Sequence, residues 1–209
     1  MRVTRLEEDP RGGVRVEVDG RAVGSVAAEA VLDLGLRAGA PLDEEAWPRL
    51  ELELEAHAAT RRALGWLSVH ARARREVELR LLRAGFRGQA VELALARLER
   101  LGYLDDAAVA RRLVEERGRE WGTARLRQEL RRRGLPPAMV EEALASAGLP
   151  GEEEVALELA RRRWLRCGDL PAEVCRRRLA GFLRRRGFAW QVVEEVLARL
   201  DSDFRAPID

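Results

Sequence analysis

Residues of the types that carry catalysis or bind metals are scarce in this 209-residue chain. Two histidines, His57 and His70, and two cysteines, Cys167 and Cys175, cannot supply the closely spaced ligand pairs of a zinc site. Ser68 stands two residues before His70 without a partner that would orient the imidazole, and neither cysteine has a histidine nearby in the sequence. We therefore expect a protein that is not an enzyme and that holds neither a metal nor a cofactor.

Carboxylates group at Asp105-Asp106 and at Glu152-Glu153-Glu154, where paired acids could serve general acid–base chemistry. Each group stands immediately before a stretch with helical apolar spacing. In that position acidic side chains cap free backbone amides and stabilise the positive end of the helix dipole. The placement indicates helix starts rather than catalytic residues.

The 38 basic residues are all arginines, and the absence of lysine excludes P-loops, kinase-type sites and Schiff-base enzymes. Residues 1–56 hold 7 arginines and 13 acidic residues, a net charge of −6, whereas residues 57–209 hold 31 and 23, a net charge of +8. The sequence thus joins an acidic segment to a basic body that attracts anions such as nucleic acids. One hypothesis is that the acidic segment shields the basic body.

Arginine triplets are the most visible candidates for a binding surface, at residues 131–133, 161–163, 176–178 and 184–186. Consecutive helical residues point about 100° apart, so a triplet cannot present three guanidinium groups on one face. Solvent exposure and stabilisation of helix C-termini explain part of them. The other interpretation is a stripe that meets phosphate or an acidic protein groove, formed by Arg125, Arg132, Arg177 and Arg185 or their neighbours.

Four tryptophans also allow two interpretations. A tryptophan on a helix more commonly packs into the core, but an exposed one can stack on nucleic-acid bases. These residues are Trp66, Trp121, Trp164 and Trp190. The remaining composition, with 5% aromatic residues and abundant leucine, alanine, glutamate and arginine, is typical of helix-rich proteins. Without an apolar signal core, an apolar run of 18 residues or a disulfide framework, we expect a soluble cytoplasmic protein in a reducing compartment, with no membrane partner.

The first 26 residues alternate apolar and polar side chains as a β-sheet does. Strands are predicted at residues 14–18 and 21–26, joined by the two-residue turn Asp19-Gly20, with an earlier strand around residues 3–6. A short helix is predicted at residues 27–34, ending before Gly35. We expect Asp43 to be the N-cap of the next helix.

From about residue 57 the chain repeats a helical unit anchored by Gly85, Gly134 and Gly187. Relative to each glycine, apolar residues recur eight and four positions before it and one, six and ten positions after it. The earlier positions lie on one stripe of a helix, the glycine fits a C-cap with positive φ, and the later positions lie on a second helix. With the helical stretch that follows each of the first two pairs, the unit has three helices and about 50 residues.

We predict a mainly α protein of three tandem three-helix repeats with a small N-terminal β-hairpin and helix module. The predicted domains are an acidic module at 1–56, repeats at 57–104 and 105–150, and a third repeat with its C-terminal tail at 151–209. Such units bury little surface alone. Stacked in tandem they form a curved rod whose long surface is available to a large partner.

Two segments carry a specific pattern: Gly102-Tyr103-Leu104-Asp105-Asp106 and Trp121-Gly122-Thr123-Ala124-Arg125-Leu126-Arg127-Gln128-Glu129-Leu130-Arg131-Arg132-Arg133-Gly134-Leu135. At this separation and in register with the repeat, they resemble the RecX family, the bacterial regulators of the RecA recombinase. The resemblance extends over residues 57 to about 200, and residues 1–56 resemble an acidic extension found in some members.

The resemblance implies three tandem three-helix repeats and a regulator, mostly an inhibitor, of RecA in DNA recombination, repair and the SOS response. It implies binding in the helical groove of the RecA filament, limited filament extension, and lowered ATPase and strand-exchange activities. The expected partners are the RecA filament, single-stranded DNA and double-stranded DNA, and the protein is expected to be a monomer. The residues expected to face RecA, DNA or both are Tyr103, Trp121, Arg125, Arg127, Arg131, Arg132, Arg133, Arg177, Arg184 and Arg185.

Two residues depart from the family pattern. Ala73 replaces a serine that often forms a capping box with Glu76, so that Arg75 and the preceding helix must set this helix boundary. Trp121 replaces a more usual tyrosine. The residues alone also allow a stand-alone, sequence-nonspecific DNA-binding protein, whose affinity would fall steeply with salt, or a helical scaffold for another protein.

Overall fold

The computed structural model describes residues 1–168 and 170–205 of the chain. It contains two compact units, of which the first spans Met1–Asp105 and the second begins at Asp106. Within the described residues, the predicted mainly α fold with a small N-terminal sheet is confirmed. The helices are α1 (Ala28–Asp33), α2 (Ala46–Leu67), α3 (Arg74–Arg83) and α4 (Gly88–Arg100) in the first unit, and α5 (Asp106–Arg117), α6 (Thr123–Arg132), α7 (Pro137–Ser146), α8 (Glu152–Trp164), α9 (Ala172–Arg185) and α10 (Trp190–Arg205) in the second.

The N-terminal sheet is antiparallel, with the strand order β1 (Val3–Glu8), β2 (Val14–Val18) and β3 (Arg21–Val26). Asp19 and Gly20 join β2 to β3 with φ values of 50° and 78°, and two positive φ values are what a two-residue hairpin turn of matching twist requires. The predicted hairpin and the earlier strand are both confirmed. One face of the sheet belongs to the core, through the buried Val3, Val16, Val18 and Val26.

Helices α1 and α2 follow the sheet. The predicted helix at 27–34 agrees with α1 to within one residue at each end, and Gly35 has a φ of 61°. The prediction that Asp43 is the N-cap of α2 was wrong, because two turn residues intervene and Glu45 takes that position. Asp43 still satisfies amides near the helix start, since its Oδ1 accepts hydrogen bonds from Glu45 N at 3.1 Å and Ala46 N at 2.6 Å.

Helix α2 contacts both β3 and α4, so it connects the sheet to the first helical repeat. The boundary proposed at residue 56 falls inside this helix. Acidic residues of the N-terminal segment pair with arginines that follow it: Arg97 Nε lies 3.0 Å from Glu29, and Arg100 Nη2 lies 2.8 Å from the same carboxylate. Arg87 pairs with Glu55. The acidic segment therefore neutralises arginines within its own unit, and the shielding hypothesis stays a prediction.

The buried His57 connects α2 to the β1–β2 turn. Its Nε2 lies 3.1 Å from Gly12 O, and a Cβ on Gly13 would come within 2.8 Å of His57 Cε1. Burial lowers the pKa of His57 below its ordinary value of 6.5, and the positive charges of Arg97 and Arg61 lower it further, while the Gly12 carbonyl and Asp9 oppose the shift.

This depressed pKa predicts a pH dependence of stability. The folded state binds a proton at His57 less readily than the unfolded state does, so His57 stabilises the fold fully above about pH 6.5. We expect the free energy of unfolding to fall as the pH is lowered from 7.5 to 5.5, as measured by urea denaturation. His57→Gln should remove this slope, whereas His70→Gln should retain it. An unchanged slope in His57→Gln would contradict the assignment.

The three repeat glycines end α3, α6 and α9, as predicted. Their φ values are 92° at Gly85, 87° at Gly134 and 85° at Gly187. After each glycine, the next amide donates a hydrogen bond of 3.3 Å to the carbonyl five residues earlier, which is the long bond of a Schellman motif. The recurring apolar positions are buried in every repeat, except that Phe86 and Leu144 are half-buried.

The departure at Ala73 does not move the start of α3. Ala73 is fully buried and occupies the N-cap without a side-chain hydrogen bond, and the helix begins at Arg74. Glu76, which would complete a capping box, pairs with Arg72 instead. The start of α3 therefore lacks a polar cap. The buried Ala73 and the Arg72–Glu76 ion pair lie at this boundary.

A disulfide joins Cys167 to Cys175, with their Cα atoms 6.0 Å apart. The two cysteines were not expected to form a disulfide framework, and the single bridge exists because the chain reverses between α8 and α9. Cys175 is buried in the core of the third repeat with Leu179 and Leu183, and Cys167 packs against that core. The bridge closes a short loop beside the helix that carries the triplets at 176–178 and 184–186.

Loss of this bridge should lower the stability of the second unit. Closing a loop of eight residues contributes about 2–3 kcal/mol through the entropy of the unfolded chain. We expect Cys167→Ser to lower the midpoint of thermal unfolding under oxidising conditions. Reductant should lower the midpoint of the unchanged protein to the same level and leave Cys167→Ser unaffected. Equal midpoints for the two proteins without reductant would show that the bridge does not form or does not stabilise the fold.

Candidate functional site

The start of α6 and the end of α9 meet through backbone atoms. Gly122, the N-cap of α6, donates its N–H to Arg186 O at 2.8 Å. The amide of Thr123 donates to the Glu152 carboxylate, so residues of the third repeat satisfy the first free amides of α6. A Cβ on Gly122 would lie 2.6 Å from Gly187 C and 2.8 Å from Phe188 N. Only glycine allows this approach of the two helix ends.

Arginine side chains connect the same two helix ends. The guanidinium of Arg125 lies 4.2 Å from the ring centroid of Trp121, and its Nη1 donates to Arg185 O at 2.7 Å. In return, Arg186 Nη1 donates to Glu120 O at 2.9 Å. Arg117 also lies over the Trp121 ring, at 5.3 Å. These cation–π contacts and carbonyl hydrogen bonds engage Trp121 within the fold.

A basic surface forms beside this contact, and we call it the junction surface. It consists of a cavity of 540 Å³ and of Trp190, which contacts Arg184 beside the cavity. The cavity is lined by Ala124, Arg125, Gln128, Arg184, Arg185 and Gly187. Among the described residues, no carboxylate lines the cavity. The guanidinium of Arg184 lies 5.9 Å from the Trp190 ring, which is 50% exposed. Guanidinium groups beside an exposed aromatic ring suit a phosphate backbone with unstacked bases, or an acidic protein groove.

Arg177 extends this positive charge along α9. It is exposed and lies seven residues before Arg184, so both side chains leave the same face of the helix about two turns apart. Within the described part of the chain, Arg177, Arg184 and Arg185 have no carboxylate within ion-pair distance. Their neighbour Arg176 does, at 2.6 Å from Asp201.

The predicted arginines at 127 and 131–133 are different, because acidic residues of the same repeat lie close to them. Arg127 donates two hydrogen bonds, of 2.7 Å and 2.8 Å, to Glu141. The bond from Arg127 is the main cause of the lowered pKa of Glu141. Arg131 lies 3.7 Å from the same carboxylate, whereas Arg132 and Arg133 lie 2.8 Å and 3.1 Å from Glu129. Three of these four arginines therefore have intramolecular partners at hydrogen-bond distance.

Tyr103 belongs to the first compact unit and follows α4, where its side chain is 55% exposed beside the exposed Leu101. The other nine predicted residues belong to the second unit. Among the latter, the structure brings Arg125, Trp121, Arg184 and Arg185 together. Sequence reasoning missed Gln128 at the junction surface, although its position three residues after Arg125 places it one turn along the same side of α6.

The fold and the junction surface define a class of protein, namely a tandem helical-repeat protein with a basic surface. Residues 105–144 match the family model for the second three-helix domain of RecX, and residues 151–197 match that for its third three-helix domain. No helix among the described residues is long and apolar enough to cross a membrane.

The chain is also similar to curated proteins along most of its length. It is 35% identical over 143 residues to the regulatory protein RecX of Amycolatopsis mediterranei, covering 66% of this chain and 82% of that one. It is 39% identical to the regulatory protein RecX of Deinococcus radiodurans, covering 68% of each. The chain therefore belongs to the RecX family of regulatory proteins. A crystal structure of a regulatory protein RecX has the same fold, with a TM-score of 0.74, 24% identity and coverage of 93% of this chain and 98% of that one.

Proposed function

We propose that this protein is a non-enzymatic regulator of RecA that binds the RecA–DNA filament and limits its extension, ATPase and strand exchange. The observation that carries the proposal is the junction surface, where Arg184 and Arg185 present guanidinium groups beside the exposed Trp190. Membership of the RecX family supports RecA as the partner. A filament presents both phosphate and acidic protein groups, and arginine pairs with either.

The proposal is tested by adding the purified protein to RecA assembled on single-stranded DNA. We expect ATP hydrolysis, filament length and strand exchange to fall over a stoichiometric range. Unchanged values of all three across that range would reject the proposal. A separate measurement of binding to DNA without RecA shows whether the protein binds DNA alone.

A second candidate function is stand-alone, sequence-nonspecific DNA binding. The feature that favours it is the lining of the cavity, where Arg125, Arg184 and Arg185 are the charged residues in the part of the chain that the structure describes. Binding to free DNA that weakens steeply with salt, and that RecA does not enhance, would support this candidate. Recruitment that depends on RecA would support the first.

A further inference from the structure

The first unit contains a second basic cavity, apart from the junction surface. It has a volume of 630 Å³ and lies where the β1–β2 turn, α1, α2 and α4 meet. Apolar walls come from Ala27, Ala28, Leu64 and Leu101. The charged residues that line it are Arg11, Glu29, Asp33, Arg61, Arg97 and Arg100. Four guanidinium groups thus meet two carboxylates around a cavity of the size that holds a small ligand.

Arg97 is the central cation of this cavity and is only 9% exposed. Its Nε donates to Glu29 at 3.0 Å and its Nη2 donates to Glu53 at 3.1 Å. Its Nη1 is buried and has no hydrogen-bond partner among the described residues. A buried donor without an acceptor destabilises the folded state, and an anion that accepted its hydrogen bond would remove that cost.

Of the two carboxylates that line the cavity, Glu29 is engaged by arginine. Asp9, which lies outside the lining beside Arg61, is engaged as well. Glu29 also accepts a hydrogen bond from Arg100 at 2.8 Å. Asp9 accepts hydrogen bonds from Ser25 Oγ at 2.5 Å and from the backbone amide of Arg11 at 2.9 Å, and lies 3.7 Å from Arg61. Within the described residues, the Arg11 guanidinium has no ion pair. Four guanidinium groups and two carboxylates therefore line the cavity, and Asp9 and Glu53, which do not line it, pair with Arg61 and Arg97.

We propose that this cavity binds the phosphate group of a small phosphorylated molecule. Arg97 and Arg61 hold the phosphate from within, and Arg11 and Arg100 approach it from the exposed side. Arginine suits this role because its planar fork of donors matches the oxygens of a phosphate. The apolar wall of Leu64 and Leu101 accommodates the remainder of the ligand. The proposal is independent of RecA binding, since it concerns the other unit of the chain.

His57 provides the readout, because it lines the same cavity and can be followed by NMR. Arg61, Arg97, Asp9 and the Gly12 carbonyl are the groups that influence its protonation. In the full chain carrying His70→Gln, so that one histidine remains, we expect inorganic phosphate to raise the pKa of His57 saturably. A dianion in the cavity would counteract the arginines that lower it. No movement of the His57 pKa at phosphate concentrations up to tens of millimolar would overturn the proposal.

Matched variants distinguish phosphate binding in this cavity from a general effect of ionic strength. Arg100 and Arg112 are both 65% exposed, and each pairs with one glutamate, at 2.8 Å and 2.7 Å, but only Arg100 lines the cavity. We expect Arg100→Gln to weaken phosphate binding about tenfold, the loss expected for one charge-assisted contact, and Arg112→Gln to leave it unchanged. Equal effects of the two variants would overturn the proposal. A nucleoside monophosphate that binds more tightly than inorganic phosphate identifies a phosphoester as the ligand, and equal affinity identifies free phosphate.

Discussion

Replacing Gly122 with alanine is expected to lower the free energy of unfolding of the second unit by about 3 kcal/mol. The new Cβ would overlap the Gly187 carbonyl group and Phe188 N, and backbone atoms cannot rotate away as a flexible side chain can. Relief of the overlap would separate the ends of α6 and α9 and lengthen the hydrogen bond from Gly122 N to Arg186 O. Urea denaturation monitored by circular dichroism measures the loss.

Gly151→Ala is the matched control for this substitution. Gly151 is the N-cap of α8 as Gly122 is of α6, and both have extended backbone conformations. A Cβ at Gly151 would meet no atom within 4 Å. Both variants lose the same N-cap preference, so the difference between them reports the overlap alone. Equal losses would show that the contact between Gly122 and Gly187 does not contribute to stability.

The double substitution of Arg184 and Arg185 by glutamine is expected to weaken binding to RecA filaments on single-stranded DNA by about 10- to 100-fold. Each arginine lost from such a contact costs about 0.7–1.4 kcal/mol, and the two lie side by side at the junction surface. If the contacts are to phosphate, the slope of log affinity against log salt should also fall by about two. Fluorescence anisotropy at several salt concentrations measures both quantities.

The repeat supplies the control for this second substitution. Arg131 and Arg132 stand three and two residues before Gly134, as Arg184 and Arg185 do before Gly187, but they lie near Glu141 and Glu129. We expect the double glutamine variant at 131 and 132 to retain affinity within about threefold, because these arginines do not line the junction cavity. If it weakened binding as much as the variant at 184 and 185, net charge rather than the junction surface would control the interaction.

The repeated core was predictable because a buried stripe and a glycine with positive φ each impose a local sequence pattern. Leu81, Leu130 and Leu183 are fully buried at the same position of three repeats, and a single period identifies them all. The turn at Asp19-Gly20 was predictable for the same reason, since its chemistry lies within two residues. In both cases the determining contacts are close in the sequence.

The division among the arginines was not predictable in this way. Whether an arginine is engaged depends on a carboxylate from another helix, such as Glu141 for Arg127, which no local pattern specifies. The Cys167–Cys175 bridge likewise depends on how tightly the chain reverses between α8 and α9. Gly122 and Gly187, which are in contact, are 65 positions apart in the sequence. The sequence around Gly122 indicates only an ordinary N-cap.

The capping of α6 by Glu152 and Arg186 has a consequence for the order in which the chain folds during synthesis. Helix α6 leaves the ribosome before either partner exists, and at about 5–20 residues per second the wait until residue 186 lasts several seconds. During that interval the first amides of α6 have only water as a partner. The N-terminal cap of α6 is therefore complete only after the third repeat has been synthesised.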